Sequence, residues 1–122
     1  MRSVIQRVTK ANVVVDEKII GEIGNGLMVL IGAEKNDTIE DVEWTVDKIL
    51  NLRIFEDDNQ KMNLSLLDVK GRILAISQFT LLGDARKGRR PSFTNAENPE
   101  KALYFYNKFV EKGKRMDPEI LS

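Results

Sequence analysis

The chain has 122 residues, enough for one domain that buries roughly two thirds of its unfolded surface. Nineteen Lys and Arg balance nineteen Asp and Glu, so any polyanion site must be a local patch and not a whole-molecule field. With no Cys and no His, the composition excludes disulfides, zinc sites of the usual kind, thiol nucleophiles and Ser-His-Asp or Cys-His catalysis within the chain.

Residues 3–9 alternate as a strand, with Val4 and Val8 on one face and Arg7 on the other. No apolar leader precedes them, and the longest apolar run, residues 27–31, is too short to span a bilayer. A cytoplasmic protein that avoids membranes is expected. Residues 12–15 and 19–23 are β-branched runs around Asp16, Glu17 and Lys18, which reads as a hairpin. Gly24, Asn25 and Gly26 make a turn before the buried strand 27–31.

Asp37 with Glu40 three residues on predicts a capping box. Ile39, Val42, Val46, Ile49 and Leu50 then give the helix one apolar face. A short strand is expected over 53–56, a turn over 57–60 and extended chain over 61–67. The acidic turn lacks the Gly and distal Glu of a calcium loop, so no metal site is read there.

Residues 73–76 are a continuous apolar run, predicting a buried strand. Ser77, Gln78 and Thr80 interrupt it; alternation over 77–80 would set Gln78 and Thr80 against Ser77 and Phe79. Polar groups at the end of a core strand either emerge into water or line a cavity. A loop follows with Arg86, Lys87, Arg89 and Arg90, then Pro91, Ser92 and Phe93. It is no P-loop, since Arg follows Gly88. It is either a solvated basic loop or a phosphate clamp using the forked geometry of Arg. Asn98 and Pro99 open a second helix with Ala102, Leu103, Tyr106, Phe109 and Val110 on its apolar face and Gly113 at its end.

Several stretches together resemble the D-aminoacyl-tRNA deacylase family: Gln6-Arg7-Val8, Gly21-Glu22-Ile23-Gly24, Arg53-Ile54-Phe55, Lys61-Met62-Asn63, Ser77-Gln78-Phe79-Thr80-Leu81 and Arg89-Arg90-Pro91-Ser92-Phe93. The resemblance implies an α/β fold with a curved, largely antiparallel, barrel-like β layer and two main helices packed against it. It implies a homodimeric enzyme of translation proofreading. Such an enzyme hydrolyses the ester of D-aminoacyl-tRNA, or of glycine on a wrong tRNA, with tRNA as partner, no DNA, no metal and no cofactor. Ser77, Gln78, Phe79 and Thr80 would line the pocket for the terminal adenosine and the ester carbonyl. The amides of Phe79 and Thr80 would be oxyanion donors. Thr80 as nucleophile and the substrate's 2′-hydroxyl as helper are the two mechanisms the family suggests. Arg7 would support the pocket, and Arg86, Lys87, Arg89, Arg90, Pro91, Ser92 and Phe93 would bind substrate.

The absence of His favours the second mechanism, because a free hydroxyl without a base is a poor nucleophile. Family members carry a Gly-Pro pair near their C-terminus, supplied to the partner's pocket to reject L-amino acids. Here the prolines follow Arg90, Asn98 and Asp117. The chain thus reads as a single domain over 1–122, shortened relative to the family, with a sheet edge left to pair. The alternatives are a member that binds tRNA 3′ ends without turnover, and a folded remnant with no nucleic-acid role.

Overall fold

The computed structural model describes residues 1–116 and the backbone of residues 120–121. Residues 117–119 and 122, most of the tail that differs from the family's Gly-Pro segment, lie outside the described residues. The described elements run β1 (Arg2–Val8), β2 (Ala11–Val15), β3 (Lys18–Ile23), β4 (Gly26–Gly32), α1 (Ile39–Asn51), β5 (Phe55–Glu56), β6 (Met62–Leu64), α2 (Leu66–Val69), β7 (Arg72–Ser77), a 3₁₀ turn (Phe79–Leu82), α3 (Pro99–Met116) and β8 (Ile120–Leu121).

The main sheet has the order β1-β4-β7-β8. β1 pairs antiparallel with β4, whereas β4–β7 and β7–β8 are parallel. β2–β3 and β5–β6 are separate antiparallel pairs, so three of the five described pairings are antiparallel, as expected. No pairing between β1 and β8 closes the sheet into a barrel among the described residues. β4 and β7 are near-continuous apolar runs because both of their faces are covered. On one face Leu27, Val29, Ile31 and Ile73 meet Val42, Val46, Ile49 and Leu50 of α1 and Phe105, Phe109 and Val110 of α3. On the other the hairpin β2–β3 crosses β7 and helps to bury Ile23 and Leu74.

Several expectations shift. Helix α1 is capped by Thr38, whose box partner is Asp41. Asp37 instead accepts from the Met1 ammonium at 2.5 Å and from the Glu34 amide at 2.8 Å. The extended reading over 61–67 misses α2, which Ser65 and Asp68 start with their own capping box and Lys70 ends in the left-handed conformation. Alternation in β1 holds over residues 2–6, with Ser3 and Ile5 inward and Val4 exposed, and breaks at Arg7, which is exposed, and Val8, which is half-buried. In α3, Phe105 takes the buried place expected of Leu103, which is exposed. Gly113 does not end that helix; it is buried inside it, and the helix runs to Met116.

Candidate active site

The β7 ladder sets the site. Ile31 pairs with Ser77, and the Gln78 amide donates to the Ile31 carbonyl at 2.7 Å, one rung further. β4 ends at Gly32, so the strand at Ser77 has no further partner and the chain turns. The expected alternation over 77–80 therefore does not occur: Phe79–Leu82 coil into one 3₁₀ turn behind Gln78. Leu82 anchors that turn in the interior. Gly32 lets the turn lie flat on β4, since a Cβ there would stand 2.5 Å from Leu82 Cδ2 and 3.0 Å from the Gln78 carbonyl oxygen.

The first amides of such a turn have no acceptor inside it. Leu81 N–H donates to the Gln78 carbonyl at 3.3 Å and Gly83 N–H to the Thr80 carbonyl at 3.0 Å. Among the described residues, the N–H groups of Phe79 and Thr80 make no hydrogen bond. Ser77, Phe79 and Thr80 are exposed and Gln78 is half-buried, so these two donors lie at an open surface. The Gln78 side-chain amide donates to the Thr80 hydroxyl oxygen. That bond fixes the Thr80 side chain and supplies no base to it. A cavity of about 160 Å³ reaches Ser77 from beneath the hairpin, lined also by Val13, Ile20, Leu74 and Tyr106. It is smaller than the roughly 300 Å³ at which ligand pockets begin.

The basic loop leaves from the turn. Asp84 and Ser92 exchange backbone hydrogen bonds of 2.7 Å in both directions, closing the loop at its root. Phe79 packs edge-on against Phe93, with ring centroids 5.2 Å apart, tying root and turn together. Arg86 folds back onto Asp84, its Nη2 2.6 Å from Oδ2. The guanidinium holds the Asp84 carboxyl at a pKa of about 2, well below the usual range. Lys87, Arg89 and Arg90 are exposed and make no ion pair among the described residues. Of the four expected cations, three remain directed to solvent and one is engaged. Pro91 and Ser92 are exposed beside them.

Arg7 lies elsewhere. It faces Leu27 across β1–β4, while the turn lies beyond Gly32, the partner of Arg2. Five strand residues separate the two rungs, about 17 Å at ~3.4 Å each. There Arg7 donates to the Ile54 carbonyl at 2.8 Å and sits 3.8 Å from the Glu56 carboxylate. It lines a groove of about 680 Å³ with Gln6, Lys10, Asn25, Phe55 and Val69. The turn's own cationic neighbour is Arg2, which donates to the Leu81 carbonyl at 2.9 Å. Sequence reasoning passed over Arg2 and Gly32, because a strand's first residue and its terminal Gly carry no motif.

A family model described as D-Tyr-tRNA(Tyr) deacylase matches residues 4–120. The D-aminoacyl-tRNA deacylase of Kosmotoga olearia is 61% identical over 112 residues, covering 92% of this chain and 76% of that one. Those of Thermosipho melanesiensis and Clostridioides difficile are 62% and 58% identical, covering 92% and 93% of this chain and 75% and 76% of theirs. Among solved structures, a c-Myc DNA Unwinding Element Binding Protein superposes with a TM-score of 0.92 at 42% identity, over 98% of this chain and 82% of that one. A probable eukaryotic D-amino acid tRNA deacylase shares the fold with a TM-score of 0.80 at 22% identity, over 95% of this chain and 68% of that one.

Proposed function

This chain belongs to the D-Tyr-tRNA(Tyr) deacylase family, and on that footing we propose that it hydrolyses the ester joining a D-amino acid, or a misplaced glycine, to the terminal ribose of tRNA. It thereby acts in translation quality control. The reaction needs a positioned ester and donors for the oxyanion that forms on its carbonyl. The observation that carries the assignment of the site is the pair of unengaged amides at Phe79 and Thr80 on an open turn. With these donors on the carbonyl oxygen, water attacks the carbonyl carbon. The vicinal 2′-hydroxyl relays the proton toward the departing 3′-oxygen, and the Thr80 hydroxyl, already accepting from Gln78, stays a spectator.

Lys87, Arg89 and Arg90 hold acceptor-stem phosphates in this reading, and Arg86 shapes the loop through Asp84. Replacing those three cations by Gln should lower the slope of log affinity against log salt by about 0.7–0.9 for each phosphate that is no longer neutralised. Arg86→Gln should change it less. A salt response that is flat in the parent chain contradicts this placement.

The protein acts as a homodimer in the cytoplasm in this proposal. Support for the dimer comes from the exposed apolar row Val14, Val15, Ile19 and Ile20 on the hairpin, and from a turn that a single chain leaves open. Among the described residues no helix is long and apolar enough to cross a membrane.

The deciding assay incubates the chain with D-aminoacyl, L-aminoacyl and uncharged tRNA and follows both binding and ester loss. Loss of the D-ester is the expected result. Binding without ester loss would leave a tRNA-end binder, and neither would end the proposal.

A further inference from the structure

We infer that Arg2 is a positioning residue for the oxyanion donors; this rests on the proposed role of the 3₁₀ turn in deacylation. The turn has two pins. At its start the Gln78 amide is held by the Ile31 carbonyl at 2.7 Å. At its far side the Leu81 carbonyl accepts from Arg2 Nη1 at 2.9 Å. The two unengaged amides, Phe79 and Thr80, are the span between the pins.

One 3₁₀ turn has poor hydrogen-bond geometry of its own, so its orientation depends on what grips it from outside. Buried Leu82 fixes its depth but not the tilt of its peptide planes. A charged donor on a carbonyl fixes such a plane, and charge-assisted bonds are about twice as strong as neutral ones. Arg2 is itself held: it starts β1 opposite Gly32, and its Nε lies 3.9 Å from a Glu34 carboxylate oxygen. Behind Arg86, which dominates, the Arg2 charge also lowers the pKa of the Asp84 carboxyl. Arg2 thus touches the turn that carries the donors from a neighbouring strand, through the Leu81 carbonyl.

The test is steady-state deacylation of D-aminoacyl-tRNA by Arg2→Met, which keeps the stem and removes the donor, and Arg2→Lys, which keeps a charge and one donor. A misplacement of catalytic donors by a fraction of an ångström lowers turnover by about tenfold. The expected result is that loss in kcat for Arg2→Met, with KM within about twofold, and partial recovery of kcat in Arg2→Lys. Amide order parameters at Phe79 and Thr80, measured by NMR, should fall in Arg2→Met from the rigid value of about 0.85. Unchanged kcat in Arg2→Met overturns the inference. So does a raised KM with unchanged kcat and a shallower salt slope, which would make Arg2 a phosphate ligand. If the parent chain itself spares the D-ester, the proposed function fails first, and the order parameters alone then decide whether Arg2 holds the turn.

Discussion

Replacing the Thr80 amide nitrogen by an ester oxygen, through chemical ligation, is expected to slow deacylation by about 100- to 1000-fold, the usual loss for one oxyanion donor. The substitution removes one N–H, makes the Phe79 carbonyl a weaker acceptor, and leaves the Thr80 side chain and its bond from Gln78 in place. No internal bond is broken, since that N–H has no acceptor among the described residues. Thr80→Ala should do the reverse. It deletes the hydroxyl but keeps the N–H, so turnover should stay within roughly fivefold of the parent, the cost of removing one orienting hydrogen bond. The two rates, measured under single-turnover conditions, separate a backbone donor from a side-chain nucleophile. Equal losses in both variants would remove that distinction.

Gly32→Ala is the second large effect. The new Cβ would lie 2.5 Å from Leu82 Cδ2 and 3.0 Å from the Gln78 carbonyl oxygen, with Leu81 Cβ at 3.4 Å. Leu82 cannot simply swing away, because it is fully buried. The turn must therefore lift off β4, carrying the amides of Phe79 and Thr80 with it. Overpacking of this kind costs about 1–3 kcal/mol of stability. A shift of about 1 Å in the donors costs about 100-fold in kcat. Shortening the anchor, as in Gly32→Ala with Leu82→Val, should return part of the turnover. Thermal melts beside the rates distinguish a displaced turn from an unfolded chain. Parent-like kcat in Gly32→Ala would show that the turn's seat on β4 does not matter.

How much of the molecule is legible in the sequence depends on range. The strands with continuous apolar runs are readable because burial on both faces writes itself into the sequence, as in β4 and β7. The hairpin β2–β3 is readable from its β-branched runs, and Asp16 and Glu17 turn it with positive φ. Helix α2 escapes although Ser65 and Asp68 spell a capping box, because four residues give no periodicity to confirm one. The cap of α1 shifts by one residue because Asp37 answers to the Met1 ammonium, a partner 36 positions away in the chain.

The site divides in the same way. Ser77, Gln78, Phe79 and Thr80 stand out as polar and aromatic groups at the end of a core strand, and they do lie together at an exposed turn. Their geometry reads as strand because nothing local says that β4 stops at Gly32 and leaves Gln78 without a neighbour beyond Ile31. Arg86 looks like one cation among four, although the carboxylate that engages it, Asp84, stands only two residues before it in the loop. Arg7 resembles a site residue by its position in a motif, but the sheet sets it about five rungs from the turn along β1. Arg2, adjacent to the turn, is invisible to local patterns because its partner Leu81 is 79 residues distant.

The most direct measurement uses tRNA ending in 2′-deoxyadenosine, charged with a D-amino acid on its 3′-hydroxyl. If two backbone amides hold the carbonyl and the ribose supplies the proton relay, this substrate should bind as the natural one does and lose its ester at least about 100-fold more slowly, while Thr80→Ala still turns over natural substrate. Unchanged hydrolysis of the deoxy ester, together with an inactive Thr80→Ala, would make the Thr80 hydroxyl the reacting group and contradict the mechanism.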